Sequence, residues 1–275
     1  MTAEFRYMMH LAGCAALGKQ PESPREDVDW EQVLAFAKEQ AVLPLVQYAL
    51  KRADFVIPEE IRKGAVQQLS SLTMRAFIRR VGVLQVLAEL ERQGIRAAVL
   101  KGFAVARDYA QPDVRISGDA DIYISEADEE KALAVFAQAG FTYQKRRPED
   151  KDTALRHPRY GTVELHVRLF DDVIIQVWHD GKPFELLEQY RQVKTPDGAY
   201  NTLGETDHFL FVLEHTMKHL IGEEFSLRMV LDVGVLLAAH GKNMDHDRIE
   251  EFLVWRRYGR ALQYLRQTRK YSIRS

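Results

Sequence analysis

Ten residues constrain this chain more than any others: "RISGDADIYI", residues 115 to 124. In an extended strand, successive side chains point to opposite faces. Asp119, Asp121 and Tyr123 then share one face, while Ala120, Ile122 and Ile124 share the other. The apolar face asks for a core, and the other face sets two carboxylates side by side. Two such acids repel, so one holds a proton unless a cation lies between them. A sheet carrying an acidic edge at one end is the expectation.

The rest of the composition fits a folded domain. Of the 275 residues, 46% are hydrophobic and 28% charged, ordinary values for a globular protein. The net charge of -2 provides no global basic field for nucleic acid, and no ladder of basic and aromatic residues is present. Cys14 is the sole cysteine, which rules out an internal disulfide and fits a reducing cytoplasm. "LAGC", ending at Cys14, has the form of a lipoprotein cleavage site, but Glu4, Arg6 and His10 interrupt the apolar run that a signal peptide needs. An amphipathic helix with Cys14 as a small buried residue is the simpler reading. Nothing approaches the ~18 apolar residues of a membrane span.

Periodicity divides the chain into three regions. Residues 1–94 read as helices, among them "VDWEQVLAFAKEQ" opened by Asp29. A long pattern then runs from Pro58 to Gly94, with a kink allowed at Ser70–Ser71. Residues 95–200 alternate: strand "IRAAVL", helix "FAVARDY" ended by Pro112, strand "DADIYI", a helix capped by Ser125, then strands "FTYQKR" and "GTVELHVRL". That order describes an α+β unit with a mixed sheet. The turn Pro196-Asp197-Gly198 links two more short strands. Residues 201–275 return to helix in three segments, the second closed by Gly241 and the third opened by Asp245. The helical pattern is cut short at "QTRKYSIRS", which leaves room for a further C-terminal segment.

The chemistry gathers around the paired aspartates. Mg²⁺ takes carboxylate oxygen together with phosphate oxygen and water, so an Asp-x-Asp strand looks like a metal–nucleotide site. An exposed strand end, its acids meeting water or arginines, is the alternative. An EF-hand is excluded, because Tyr123 stands where the third ligand belongs. Upstream, "VLKGFAVARDY" runs a strand into Lys101-Gly102 and then a helix; Gly102 permits close backbone approach, and Lys101 offers a point charge for phosphate. Downstream, "GTVELHVRLF" turns Val163, Leu165 and Val167 inward, with Glu164, His166 and Arg168 opposite. Glu164 can supply a third carboxylate. Arg115 can pair with phosphate or with a carboxylate.

Together, "LKG", "RISGDADIYI" and "VELHV" resemble the nucleotidyltransferase-fold superfamily, which includes DNA polymerase β and the aminoglycoside and minimal nucleotidyltransferases. The likeness is strongest to an uncharacterised bacterial branch and covers about residues 95 to 168. It departs from the family pattern in two places: Lys101-Gly102 stands where many members have Gly-Ser, and Asp119 lies 17 positions after Gly102. The resemblance implies that Asp119, Asp121 and Glu164 are metal-binding and catalytic, with Mg²⁺ or Mn²⁺ and an NTP. Glu164 would complete the second metal site or act as base on the acceptor hydroxyl. Lys101, Gly102, Arg115, Gly118 and His166 are the candidate nucleotide contacts. The implied reaction is nucleoside monophosphate transfer to a small molecule or protein, with pyrophosphate leaving. The alternative is a catalytically degenerate nucleotide-binding or toxin–antitoxin-type module, with the N-terminal helices as a protein-binding surface.

One feature lies outside that set. "DHFLFVLEHTMKHLI" carries His208, His215 and His219 on one helical face. A zinc site lacks the glutamate of "HExxH". Hydrogen bonding between helices is the plainer reading, and a place for His215, Lys218 and His219 along the cleft is the third. Arg228 is read as a helix partner of Asp232 or as a cleft residue.

Overall fold

A computed structural model describes residues 1–144, 152–169, 189–221 and 225–257. Four helices come first. Helix α1 (Ala3–Leu17) starts on a Thr2 cap and stops at Gly18, whose φ of 72° suits glycine. Helix α2 (Trp30–Glu39) starts on Asp29, whose carboxylate accepts from the Glu31 and Gln32 amides. Helix α3 (Leu43–Arg52) follows, then α4 (Glu59–Arg92). The 34 residues of α4 form one continuous helix across Ser70 and Ser71. There Ser70 and Thr73 turn their hydroxyls onto helix carbonyls rather than breaking the ladder. Gly94, at φ 74°, ends it.

The sheet that follows is mixed. Strands β1 (Ala97–Leu100), β2 (Asp119–Ile124), β3 (Thr142–Tyr143), β4 (Asp152–His157) and β5 (Gly161–His166) stand in the order β1-β2-β5-β4-β3. Strands β2 and β5 are parallel; the other neighbours are antiparallel. The helix after β1 begins earlier than the sequence suggests: α5 (Lys101–Val105) starts at Lys101 itself and passes into a 3-10 turn over Ala106–Asp108. Pro112 opens a second 3-10 turn instead of closing a helix. Helix α6 (Glu129–Gln138) follows the Ser125 cap and a short 3-10 turn.

Strand β4 is absent from the sequence reading. "DTALRH" buries only Thr153 and Leu155, too few apolar residues to mark a strand without knowing its neighbours. The strand expected over "FTYQKR" is confined to Thr142–Tyr143 as described; residues 145–146 lie outside the described residues, as does the chain end 258–275. Strands β6 (Tyr190–Thr195) and β7 (Gly198–Leu203) form the expected hairpin, anchored to the main sheet where Thr202 donates to the Val99 carbonyl at 2.7 Å. Helices α7 (Glu205–Ile221), α8 (Leu227–His240) and α9 (His246–Trp255) complete the described chain.

Two cores hold these layers. Ala120, Ile122, Ile124, Val163 and Leu165 are fully buried with Val83 and Leu90 of α4 and Phe136 of α6. The second core joins both ends of the chain: Met8, Leu11, Val46 and Leu50 pack with Phe209, Leu236 and Phe252. Helix α4 contributes to both, through Leu69 at one end and Leu90 at the other. No helix among the described residues is long and apolar enough to cross a membrane.

Candidate active site

The period-2 pattern of β2 does what its composition requires. Ala120, Ile122 and Ile124 enter the core, and Asp119 and Asp121 take the other face. Because β2 and β5 are parallel in this register, Asp121 sits directly beside Glu164, and Tyr123 beside His166. Strand β1 runs antiparallel on the other side, with Leu100 opposite Asp121. Lys101 therefore leaves the end of β1 next to the acids. It does so at φ 46°, an uncommon backbone region for a non-glycine residue.

These side chains converge. The Lys101 Nζ lies 2.6 Å from Asp121 Oδ1 and 4.0 Å from Glu164 Oε2. His166 Nε2 lies 3.0 Å from Asp121 Oδ1 and 3.7 Å from Glu164 Oε2, while its Nδ1 is 3.8 Å from Asp152 Oδ2. Burial favours the neutral acid at Asp121, yet the His166 hydrogen bond and the Lys101 charge outweigh it. Its carboxyl is held well below the usual range. Glu164 responds in the opposite sense. Burial, and then the Asp121 charge, push it up to about 7 despite Lys101. One ligand atom each from Asp121, Glu164 and His166 lie within 4.8 Å of one another, a metal-sized grouping. Asp119 lines the same cleft but is not in that grouping, and its Oδ1 accepts from Ser117 at 3.2 Å. Helix α4 secures the loop that delivers it: Arg79 donates to the Ser117 carbonyl, and Arg80 bridges Asp113 and Asp197.

Arg115 takes the carboxylate option. Its Nε and Nη2 reach the two oxygens of Asp232 in α8 at 2.7 and 2.6 Å, and Tyr109 donates to the same carboxylate at 2.7 Å. Burial alone would lower the Arg115 pKa; Asp232 reverses that and raises it. Gly102 acquires its reason here. A Cβ at that position would lie 2.4 Å from Arg115 Nη2, so the glycine makes room for a guanidinium. A Cβ at Gly118 would meet nothing within 4 Å, so packing places no demand on that glycine.

The sequence profile of a family described as "Uncharacterised nucleotidyltransferase" matches residues 26–268. The chain belongs to this nucleotidyltransferase family. A search of curated protein sequences returned no match. Among solved structures, the chain is similar to the lincomycin-bound lincosamide antibiotic adenylyltransferase LnuA at 15% identity, covering 57% of this chain and 96% of that one with a TM-score of 0.40. The antibiotic-resistance factor ANT(2'')-Ia matches at 9% identity, over 70% of this chain and 99% of that one, with a TM-score of 0.46. An antigenic nucleotidyltransferase-like protein from Paracoccidioides brasiliensis matches at 17% identity, over 59% and 77%, with a TM-score of 0.40. These likenesses are distant.

The nucleotidyltransferase separates its three helix histidines. His215 and His219 line the cleft, with ring centroids 4.4 Å apart. His208 lies about two turns away along α7 and is fully buried, and burial drives its pKa down to about 3. No histidine of α7 joins the metal-sized grouping found among the described residues. Two contributors escaped the sequence reading. Asp152 reaches His166 through the β4–β5 register, and Ser117 holds Asp119. Ser117 stands in the quoted motif and was open to notice; Asp152 carries no local signal.

Proposed function

We propose that this nucleotidyltransferase moves a nucleoside monophosphate from an NTP to an acceptor hydroxyl, with a divalent metal at the Asp121–Glu164 pair. The observation that carries the reading is that pairing: two carboxylates on adjacent parallel strands lining one cleft. The donor set fits Mg²⁺ or Mn²⁺: Glu164 is pushed up by burial and then by the Asp121 charge, and a cation between the two relieves that repulsion. Asp121 and Glu164 would hold the ion, with Asp119 completing the oxygen set. When bound, the ion supplies charge neutralisation of the triphosphate and of the departing pyrophosphate.

The chain's own residues do the rest. His166 fixes Asp121 from the side away from the cleft and is itself approached by Asp152, so the carboxylate cannot turn freely. Glu164, more accessible than Asp121, takes the acceptor hydroxyl proton on the carboxylate oxygen that the ion would leave free. The acceptor oxygen bonds to the α-phosphorus, the bond from that phosphorus to the bridging oxygen of the β-phosphate breaks, and pyrophosphate leaves with the electron pair. Lys101 swings from Asp121 toward phosphate. The acceptor is a small molecule or a protein, and the N-terminal helices (residues 1–94) are the surface for a protein acceptor; a cytoplasmic setting goes with this reading.

A second reading draws on one observation. The Lys101 ammonium already neutralises Asp121 at 2.6 Å, as in a module that binds nucleotide without turning it over. One experiment separates the two. The protein is incubated with each labelled NTP and Mg²⁺ or Mn²⁺ in a small-molecule and protein extract. Transfer predicts pyrophosphate release and label on an acceptor, both lost in Glu164→Gln. Nucleotide binding with no pyrophosphate under either metal rejects transfer and favours the module.

A further inference from the structure

Three Lys and Arg side chains of the described residues line the cleft: Lys101, Arg115 and Arg228. Two are committed, Lys101 to Asp121 and Arg115 to Asp232. Arg228 is different. Among the described residues its guanidinium has no hydrogen-bond or ion-pair partner, and its buried Nε is unsatisfied. Asp232, one helical turn along α8 and the partner expected from the sequence, spends both oxygens on Arg115 and one of them also on Tyr109. Burial and the neighbouring Arg115 charge both work against the cation at Arg228, and its pKa is lowered although the Asp232 and Asp119 charges favour it. A cation held in a partly dry place with no carboxylate in direct contact costs stability. Such cost is concentrated at binding sites.

The backbone of Arg228 is fixed from far away. The Arg228 amide donates to the Gln40 carbonyl at 3.4 Å, and the Leu227 amide to the Gln40 side chain at 3.0 Å. Gln40 follows α2, so the N-terminal helices position the first turn of α8. The cleft thus has an acidic wall from the sheet and, on α8, the Arg228 guanidinium. A polyanion accompanied by a metal complements both at once. A planar guanidinium suits phosphate oxygens in particular.

We propose that Arg228 is the polyphosphate-binding residue of the cleft, receiving the β- and γ-phosphates of the NTP and then the pyrophosphate product, with Gln40 positioning it. The assignment of those phosphates rests on the nucleotidyl-transfer reading; the anion site itself does not.

The test is calorimetric titration of inorganic pyrophosphate, once with Mg²⁺ and once in EDTA, into wild type, Arg228→Gln and Arg228→Lys, with thermal unfolding of each protein free of anion. Arg228→Gln is expected to weaken pyrophosphate binding by about tenfold or more, the loss of a charge-assisted contact, and Arg228→Lys to recover part of it. The melting temperature of Arg228→Gln is expected to hold or rise, because a charge with no carboxylate in direct contact is removed. Wild-type affinity in Arg228→Gln overturns the inference, as does a clear fall in its melting temperature, which marks a structural arginine. Pyrophosphate binding that depends on Arg228, in a protein that transfers no nucleotide, upholds the anion site and rejects the transfer reading. Transfer by wild type, with pyrophosphate binding indifferent to Arg228, does the reverse. No pyrophosphate binding by wild type overturns the inference outright.

Discussion

Two charge clusters share one cleft and obey opposite rules. Around Asp232, Arg115 and Tyr109 close on the carboxylate, Arg115 Nη1 reaches the Ile116 carbonyl, and charge balances charge. Around Asp121, three carboxylates of the cleft (Asp119, Asp121 and Glu164) stand with one lysine, and burial together with the Asp121 charge pushes Glu164 up to about 7. The first cluster is what a protein builds to hold a helix against a sheet. The second is what it keeps when a ligand is to supply the missing charge. The difference teaches that burial and ion pairing do not by themselves mark a site; imbalance does.

The largest expected effect is on chemistry in the unbalanced cluster. Glu164→Gln should lower nucleotide transfer by about 10²–10⁴-fold, the range of a lost general base. It should leave the melting temperature unchanged or raised, since it relieves repulsion with Asp121. A fall in stability comparable to that of a core mutation would erase the contrast between the clusters.

Asp232→Ala strikes the balanced cluster and should do the opposite. It strands a buried guanidinium, at a cost of about 3–5 kcal/mol in denaturant unfolding. Gly102→Ala tests the same cluster from the other side. Its methyl group meets Arg115, and about 1–3 kcal/mol of overpacking is expected. A Gly102→Ala protein of wild-type stability would return Gly102 to a purely phosphate-facing role.

The smallest effect sharpens the comparison with a group in neither cluster. The ordinary histidine pKa of 6.5 is lowered by burial to about 3 at His208 in the fold. Between those values the unfolded chain holds a proton that the folded chain lacks, so stability falls as pH drops below 6.5. Above 6.5 both states are neutral and His208 adds no dependence. The slope is about 1.4 kcal/mol per pH unit. Comparing wild type with His208→Leu in urea from pH 7 to pH 5 isolates it. Parallel pH profiles would mean that His208 meets water or a partner when charged.

Much of the acidic wall was legible in sequence because it rests on period 2. Asp119, Asp121 and Glu164 fall on strand faces that the alternating Ile, Val and Leu residues announce. The kinds of contact were not legible. Arg115 could pair with phosphate or carboxylate, and its partner lies 117 residues away in α8. Gly102 read as a phosphate approach, while its nearest demand is a side chain thirteen positions on. Asp152 enters through a strand with two buried residues, too weak a pattern to see without β5 beside it. His208 and His215 share a helical face, yet the seven positions that separate them, about 10 Å of rise, carry one into the core and leave the other at the cleft.

The most direct test of the central claim, that the acidic wall is a metal-dependent nucleotide site, uses Asp119→Asn. Asp119 is half-buried, and its carboxylate accepts a hydrogen bond from Ser117, so the substitution should change stability little. Each NTP is titrated calorimetrically into wild type and Asp119→Asn, once with Mg²⁺ and once with EDTA. The account predicts that wild type binds tighter with Mg²⁺ than with EDTA, and that Asp119→Asn loses that gain while its affinity in EDTA is unchanged or improved. Equal Mg²⁺-dependent affinity in the two proteins would contradict it and leave the paired aspartates as an acidic strand end.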